Sequence, residues 1–224
     1  MKKFLFATIA AIFTTMNANA QYEPGTWTLQ PKIGIGTSSI TNMEQITIEG
    51  KNVSNEHSPA VSLGAEFEYQ ESDRFSIAIG ADFSMQGTAW EKCRISGTKR
   101  YTDIRMELTY INIPVVANFY AAPGLALKAG FQFSYLTNAD FVLTAEGLNN
   151  GYETTVESRS DMKEDFENFD LSIPIGISYE LNNHLVIDAR YKLGLLNIST
   201  DSSFDSQTNK NSVFMMTVGY KFSL

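Results

Sequence analysis

Hydrophobic and polar residues alternate with a period of two in eight segments of the chain, which is the pattern of β-strands with one apolar face. The predicted strands are residues 27–37, 59–70, 75–87, 107–120, 124–137, 169–181, 185–196 and 212–224. Their connections alternate in length, with short turns at 71–74, 121–124 and 182–185 and long loops at 38–58, 88–106, 138–168 and 197–211. This rhythm predicts consecutive hairpins with all long loops at one end.

The apolar face of these strands is bulky and uncharged, whereas the opposite face carries every strand charge. Ile77, Ile79 and Phe83 lie on one face, for example, and Asp82 on the other. Eight strands enclose room only for small or interleaved side chains, so we expect the bulky face to meet lipid. A lysine or arginine costs about 2–4 kcal/mol there near the bilayer midplane, which explains the absence of charge.

The predicted fold is therefore all-β, an eight-stranded antiparallel up-and-down transmembrane β-barrel with four long extracellular loops and short periplasmic turns. Closure is required because an open edge in hydrocarbon leaves backbone groups unpaired. The inward charges nearly balance, and buried charges are tolerated when they are partnered. We thus predict a lumen filled by ion pairs, without an open pore. The predicted network is Lys32, Glu66, Glu68, Asp82, Lys128, Glu180, Asp188, Arg190, Lys192 and Lys221, with Asp170 as a sixth carboxylate.

Two prolines, Pro114 and Pro174, fall inside predicted strands that descend from long loops. Both lie on the inward face. Proline has no N–H to donate to a ladder and is normally confined to strand edges, strand starts or bulges. We predict a β-bulge or a local break in pairing at each site.

The chain opens with MKKFLFATIAAIFTTMNANAQ, where a basic start, a short apolar run and an A-x-A site indicate a secretory signal peptide. The expected organisation is a signal peptide at 1–20 and a barrel domain at 21–224, exported to the outer membrane. Loss of Lys2 and Lys3 shifts the net charge from −8 to −10. An acidic chain without a basic arm is a poor nucleic-acid binder. The single cysteine, Cys93, excludes an internal disulfide.

Four stretches are distinctive: YINIPVVANFY from Tyr110, GLALKAGFQFSYL from Gly124, DARYKLGLLNI from Asp188, and VGYKF ending at Phe222. Together they resemble the PorT-like outer-membrane β-barrel family of Bacteroidota. The resemblance spans the mature chain and implies an outer-membrane location and a small barrel with surface loops. For a founding member it also implies a part in the secretion and maturation of surface proteins. The last strand looks like the terminal signal that the barrel-assembly machinery reads.

Histidine is the usual general base of a rim-located hydrolase, and the chain has two. His57 lies in the first long loop beside Ser58, and His184 lies in a short turn at the opposite end. They cannot form one site, and a Ser-His-Asp arrangement with His57 would need an acid from another loop. We therefore interpret His57 as a solvated loop residue and expect no enzymatic activity.

The loops differ in charge. Loop 138–168 has eight carboxylates against two cations, and its spacing matches no dedicated calcium loop, so a solvated acidic loop is favoured. Met162, Phe166 and Phe169 suggest a short helix on the rim. In the basic segment 90–105, the predicted contacts to lipopolysaccharide phosphates are Lys92, Arg94, Lys99 and Arg100. Pairing of these cations with the acidic loop is the alternative.

These patterns favour a non-enzymatic integral outer-membrane protein with a structural or interaction role through its surface loops. Three alternatives stay open: an accessory component of protein secretion or envelope assembly, a rim hydrolase or acyltransferase using His57, and a soluble lipocalin-like barrel. Expected partners are outer-membrane lipid and lipopolysaccharide, the assembly machinery during biogenesis, and an envelope or secretion protein. No cofactor or metal site is predicted.

Overall fold

A computed structural model of the chain describes residues 22–43, 46–48, 51–94, 101–149, 152–200 and 208–224. The predicted signal peptide lies outside these residues. The strands are β1 (Trp27–Thr41), β2 (Ile46–Ile48), β3 (Lys51–Val53), β4 (Asn55–Ser72), β5 (Phe75–Arg94), β6 (Tyr101–Ala122), β7 (Leu125–Asn149), β8 (Tyr152–Asp161), β9 (Phe169–Glu180), β10 (Leu185–Gly194), β11 (Lys210–Tyr220) and β12 (Phe222–Ser223). One 3-10 helix, Lys163–Asp165, precedes β9. Within the described ranges, no helix has the length and apolar character needed to cross a bilayer.

Eight strands close into one antiparallel ring in the order β1, β4, β5, β6, β7, β9, β10 and β11. The ring closes where β11 pairs with β1, from Lys32↔Gly219 to Thr41↔Lys210. Ring neighbours follow one another along the chain, apart from the small β2–β3 hairpin and β8, so the predicted up-and-down barrel is confirmed. The three short connections lie at one end, the short-turn end, and the others lie at the long-loop end.

The outward face of the ring is apolar and exposed, with Ile35 at 72% and Leu63 at 63% of full exposure. We call this outward apolar face the belt. Aromatic side chains border it at the short-turn end, where the rings of Trp27 and Tyr69 lie 4.9 Å apart. Such a band with aromatic margins is typical of a surface in contact with lipid.

Several strands are much longer than predicted. β6 has 22 residues and β7 has 25, whereas a strand crosses a bilayer with about 9–11 residues. Both continue beyond the belt together with β5, and β8 pairs with β7 from Asp140↔Asp161 to Asn149↔Tyr152. We call this extension the wall; it comprises residues 86–94, 101–109, 138–149 and 152–161.

The wall corrects the prediction of long loops at 88–106 and 138–168, because much of both segments is β-structure. The predicted loop 38–58 is corrected likewise, since β2, β3 and the start of β4 fall within it and His57 is a residue of β4. The predicted short helix is present only as the 3-10 helix Lys163–Asp165. Phe166 follows that helix into a buried cluster, but Phe169 begins β9 and faces outward beside Phe133, so it does not pack with the helix. Phe169 follows the strand alternation because β9 is already paired with β7 at that residue.

Both inward prolines keep one ladder and interrupt the other. Pro114 pairs with Gln132 of β7, but the β5–β6 ladder lapses over two residue pairs beside it and resumes in the same register. Pro174 pairs with Lys192 of β10, and the β7–β9 ladder lapses over two pairs in the same way. The predicted local break is confirmed at both sites. A register shift occurs instead around Pro59, in the β4–β5 ladder.

An apolar cluster closes the lumen at the long-loop end. Wall residues supply its floor and side, and Phe166 and Ile198 come from the connections before β9 and after β10. We call this cluster the cap. Its buried members are Ile40, Met43, Trp90, Ile104, Met106, Leu108, Tyr110, Leu136, Ala139, Phe166 and Ile198.

Candidate functional site

The middle of the lumen is organised around Arg190 of β10. Its guanidinium donates to the two carboxylate oxygens of Glu66 at 2.6 and 2.8 Å and to Asp188 at 2.8–3.1 Å. Lys32 Nζ lies 2.5 Å from Glu66 Oε1, and Lys128 Nζ lies 2.9 Å from Asp188 Oδ2. Two-pronged arginine–carboxylate pairs are among the strongest polar contacts in proteins, so these five residues lock four strands together across the barrel.

A second ionic group lies nearer the short-turn end. Lys221 Nζ is 2.9 Å from Glu68 and 3.3 Å from Glu180. The Tyr120 hydroxyl and the Ser76 hydroxyl each donate to Glu68 Oε1 at 2.5 Å. Each carboxylate of this group thus has a cation or a hydroxyl donor, as burial in a lumen without bulk water requires.

The chain before β1 closes this end. The Tyr22 hydroxyl donates to Glu180 at 2.9 Å and lies 3.0 Å from Nδ1 of His184, while Lys221 Nζ sits 5.6 Å from the centre of the Tyr22 ring. His184 holds a left-handed backbone with φ of 63°, and its Nδ1 also lies 3.4 Å from Glu180 Oε1. Burial and then the Glu180 carboxylate raise the pKa of Tyr22 above its ordinary value. Strand patterning did not identify Tyr22, because it precedes the first strand.

Toward the cap the lumen is polar but less strongly paired. Asn112 donates to Asp82 at 2.9 Å, and Lys192 lies 3.9 Å from the same carboxylate. Asp170 accepts a hydrogen bond from Asn211 at 2.8 Å and forms no ion pair within the described part of the chain. Asp170 is therefore the carboxylate in excess of the five lumen cations.

Little space remains between the side chains around Arg190. A cavity of about 10 Å³ lies among Lys32, Asp82, Gln132, Arg190 and Lys192. That volume suits one water molecule. The described lumen thus holds charged and polar side chains from the short-turn end up to the cap.

The predicted lipopolysaccharide contacts lie at the top of the wall or beyond the described residues. Lys92 and Arg94 belong to β5, where the backbone alone is described, as for Cys93 between them. Lys99 and Arg100 lie outside the described residues. The contact of these four cations with lipopolysaccharide stays a prediction.

The outward face of the wall carries its own ionic network. Arg159 of β8 lies 2.7 Å from Glu157, 3.1 Å from Glu107 and 3.7 Å from Asp140. The hydrogen bond that Arg159 donates to Glu157 and then the charge of Glu107 raise the pKa of Arg159. Arg159, one of the two cations of the predicted acidic loop, is thus engaged by carboxylates of three strands.

The structure does not assemble a site around His57. His57 is exposed, and Ser58 is 5% exposed and directed inward, since successive strand residues point to opposite faces. His57 borders a rim cavity of about 340 Å³ together with Asn55 and Glu56. His184 lies at the opposite end of the barrel. Among the described residues, no group of three or more His, Cys, Asp or Glu side chains is arranged to hold a metal.

The closed ring, the belt and the charged lumen define an integral outer-membrane β-barrel protein. The chain belongs to the outer membrane protein beta-barrel domain family, whose model matches residues 19–200. A comparison with curated proteins found no match.

Similar solved structures are also outer-membrane barrels. Ail, the attachment invasion locus protein of Yersinia pestis, is 14% identical with a TM-score of 0.43, covering 89% of this chain and 99% of Ail. Neisserial surface protein A is 13% identical with a TM-score of 0.43, covering 88% and 97%. OprG from Pseudomonas aeruginosa is 14% identical with a TM-score of 0.45, covering 91% and 98%. At these identities and TM-scores the likeness carries no inference about ligands or partners.

Proposed function

We propose that this protein is a closed outer-membrane barrel that acts as a non-enzymatic binding platform through its long-loop end, which faces the cell exterior. The observation that supports the proposal is the filled lumen. The five ionic residues centred on Arg190 span the barrel, and the cap lies above them. A cavity of about 10 Å³ lies between the side chains of the lumen. Function is then expected from the parts that meet water, and among the described residues the wall is the most extensive of these parts.

The energetics of the lumen favour a barrel that stays closed. Opening a path past Arg190 would separate it from Glu66 and Asp188, both buried. Breaking one such buried pair costs about 3–5 kcal/mol, because the remaining charge is left without a partner. The wall, by contrast, presents exposed polar side chains that can exchange partners at low cost.

Conductance and capture measurements on the full chain test both parts of the proposal. Purified protein in planar lipid bilayers should show no steady single-channel conductance, whereas stable open channels would contradict the closed lumen. On whole cells, proximity labelling from the wall should identify neighbours that are lost when residues 141–160 are replaced by a short turn. Heat-modifiable migration in gels serves as the control that the shortened barrel still assembles. Labelling that is unchanged by the replacement would contradict the platform.

A role as accessory component of protein secretion or envelope assembly is the second candidate, supported by the resemblance to PorT-like barrels. The residues that carry the resemblance include Tyr110, Asp188, Arg190 and Lys221, and all four are buried inside the barrel. Because these residues are interior, the resemblance indicates a shared fold but does not identify a partner. Deletion of the gene tests this candidate: loss of secreted surface proteins would support it, and unchanged secretion would exclude it.

A further inference from the structure

β8 is the edge of the wall. It pairs with β7 through ten consecutive residue pairs without a register shift. On its other side, none of the described strands pairs with it. β7 changes partner at this height, since it pairs with β9 up to Tyr135↔Phe169 and with β8 from Asp140 onward. The edge therefore lies beyond the belt, in water.

Within the described residues, the edge lacks several of the usual protections against strand pairing. Natural sheets blunt exposed edges with proline, lysine, bulges or very short strands. Residues 155–161, TVESRSD, contain neither proline nor lysine, and all seven are exposed. The two long charged side chains, Glu157 and Arg159, bond to each other and back toward Glu107 and Asp140, over the sheet and away from the edge.

The two faces beside the edge differ in chemistry. On the outward face Arg159 meets three carboxylates and Arg105 lies 3.7 Å from Asp103, which leaves an excess of negative charge among the described side chains. On the other face Val156 is 59% exposed and is paired with Ala145, on the side where Leu143 adjoins the cap residue Ile104. A strand added at β8 would thus lie between an acidic surface and an apolar one.

We propose that the edge of β8 takes up an extended polypeptide strand of another protein, with basic residues on one face and apolar residues on the other. Main-chain hydrogen bonds supply affinity in strand addition, and the alternating side chains supply specificity. The complementarity of charge selects a basic outward face, because opposite charges on neighbouring strands stabilise a sheet. This inference rests on the proposed platform function and names the chemistry of its partner.

Three ten-residue peptides test the inference against full-length protein in nanodiscs of zwitterionic lipid. The first alternates Lys and Val, the second is the same peptide with N-methyl groups on alternate residues, and the third alternates Glu and Val. Empty nanodiscs measure binding to lipid. We expect the Lys/Val peptide to bind and each of the other two to bind at least tenfold more weakly. Equal binding of the N-methylated peptide, or no binding of the Lys/Val peptide, would overturn the proposal.

Two substitutions locate the binding. Ser158→Lys places a cation on the edge and should weaken the Lys/Val peptide at least tenfold, while Ser72→Lys, at the exposed short-turn end of β4, should leave binding unchanged. Equal effects would overturn the edge assignment. A chain that is dimeric before peptide is added, and monomeric with Ser158→Lys, would assign the edge to a second copy and also overturn it.

The outcomes separate this inference from the platform function. Loss of whole-cell labelling upon removal of 141–160, combined with no peptide binding, would contradict strand addition alone. Peptide binding by a barrel that conducts ions would contradict the closed platform alone.

Discussion

The barrel at belt level and the wall above it share strands, but the polarity of the inward and outward faces is reversed between them. Along β6, Ile111 and Ile113 face outward and Asn112 faces inward, within the belt. A few residues earlier, in the wall, Glu107 lies on the outward face and Leu108 is buried in the cap. The strand is continuous, but the medium around it changes from lipid to water. The polarity of each face follows the medium that the face meets.

The same comparison explains why one region is closed and the other has an edge. In hydrocarbon, each unpaired backbone group costs several kcal/mol, so the ring must close where β11 meets β1. Above the belt, water satisfies the free groups of β8, and an open edge is tolerated. A β-bulge marks the boundary between the closed barrel and the wall with its open edge. There the β6–β7 register shifts beside Tyr110, and Thr137 is the extra residue of the bulge.

The largest expected difference between the two regions concerns their arginines. Arg190→Ala should lower the free energy of unfolding by about 3–5 kcal/mol, because Glu66 and Asp188 each lose a buried partner. Arg159→Ala, which removes an exposed guanidinium with three carboxylate neighbours, should have a much smaller effect that shrinks further with added salt. Urea titration of protein refolded into lipid vesicles measures both. Equal losses would break the comparison.

The second-largest expected difference in stability between the belt and the wall comes from a single lysine introduced on the outward face. Ile79→Lys lies in the belt, 52% exposed and paired with Phe67 and Val115, and should cost about 2–4 kcal/mol. Thr155→Lys lies on the exposed wall and should change stability by less than about 0.5 kcal/mol. The same vesicle titration compares them. If Ile79→Lys is tolerated as well as Thr155→Lys, the belt does not contact hydrocarbon.

Strand alternation predicted the barrel because every membrane-spanning strand alternates in the same way, with apolar residues outward toward lipid and polar or charged residues inward. The wall was missed because the phase reverses. In DIRMELT, residues 103–109, the apolar residues fall at even positions, whereas Ile111, Ile113 and Val115 fall at odd ones. Unbroken alternation with a reversed phase was thus present in the sequence. It marks the height at which a strand leaves the membrane.

The contacts within the lumen could not be predicted in the same way. Alternation assigns a charged residue to the interior, but pairing depends on the stagger of strands around the ring. Glu66 and Arg190 are 124 residues apart and lie on strands that are not neighbours in the sheet. Tyr22 was missed for another reason, since its position depends on how an irregular segment folds over the short-turn end.

A smaller effect tests whether the wall is packed on its inner face. Ile104→Val removes one methylene from the cap and should cost about 0.5–1.5 kcal/mol. The matched change Ile113→Val, outward in the belt of the same strand, should cost less because lipid fills the space. Hydrogen exchange should become faster in the β6–β7 wall with Ile104→Val and stay unchanged at belt level. Faster exchange throughout the barrel would show that cap and barrel unfold as one unit.

The smallest effect concerns the short-turn end, where water meets a polar closure in place of an apolar cap. Tyr22→Phe removes the donor to Glu180 and should cost up to about 1 kcal/mol, since the phenol is partly screened by water. The raised pKa of Tyr22 gives this contribution a pH dependence. It is complete below about pH 10, the ordinary pKa of tyrosine, and declines at higher pH, because the unfolded chain then loses a proton that the folded chain retains. The measurement is the difference in unfolding free energy between the native chain and Tyr22→Phe from pH 8 to pH 11. A difference that grows with pH would mean that the folded barrel favours the phenolate, against the burial and the neighbouring carboxylate.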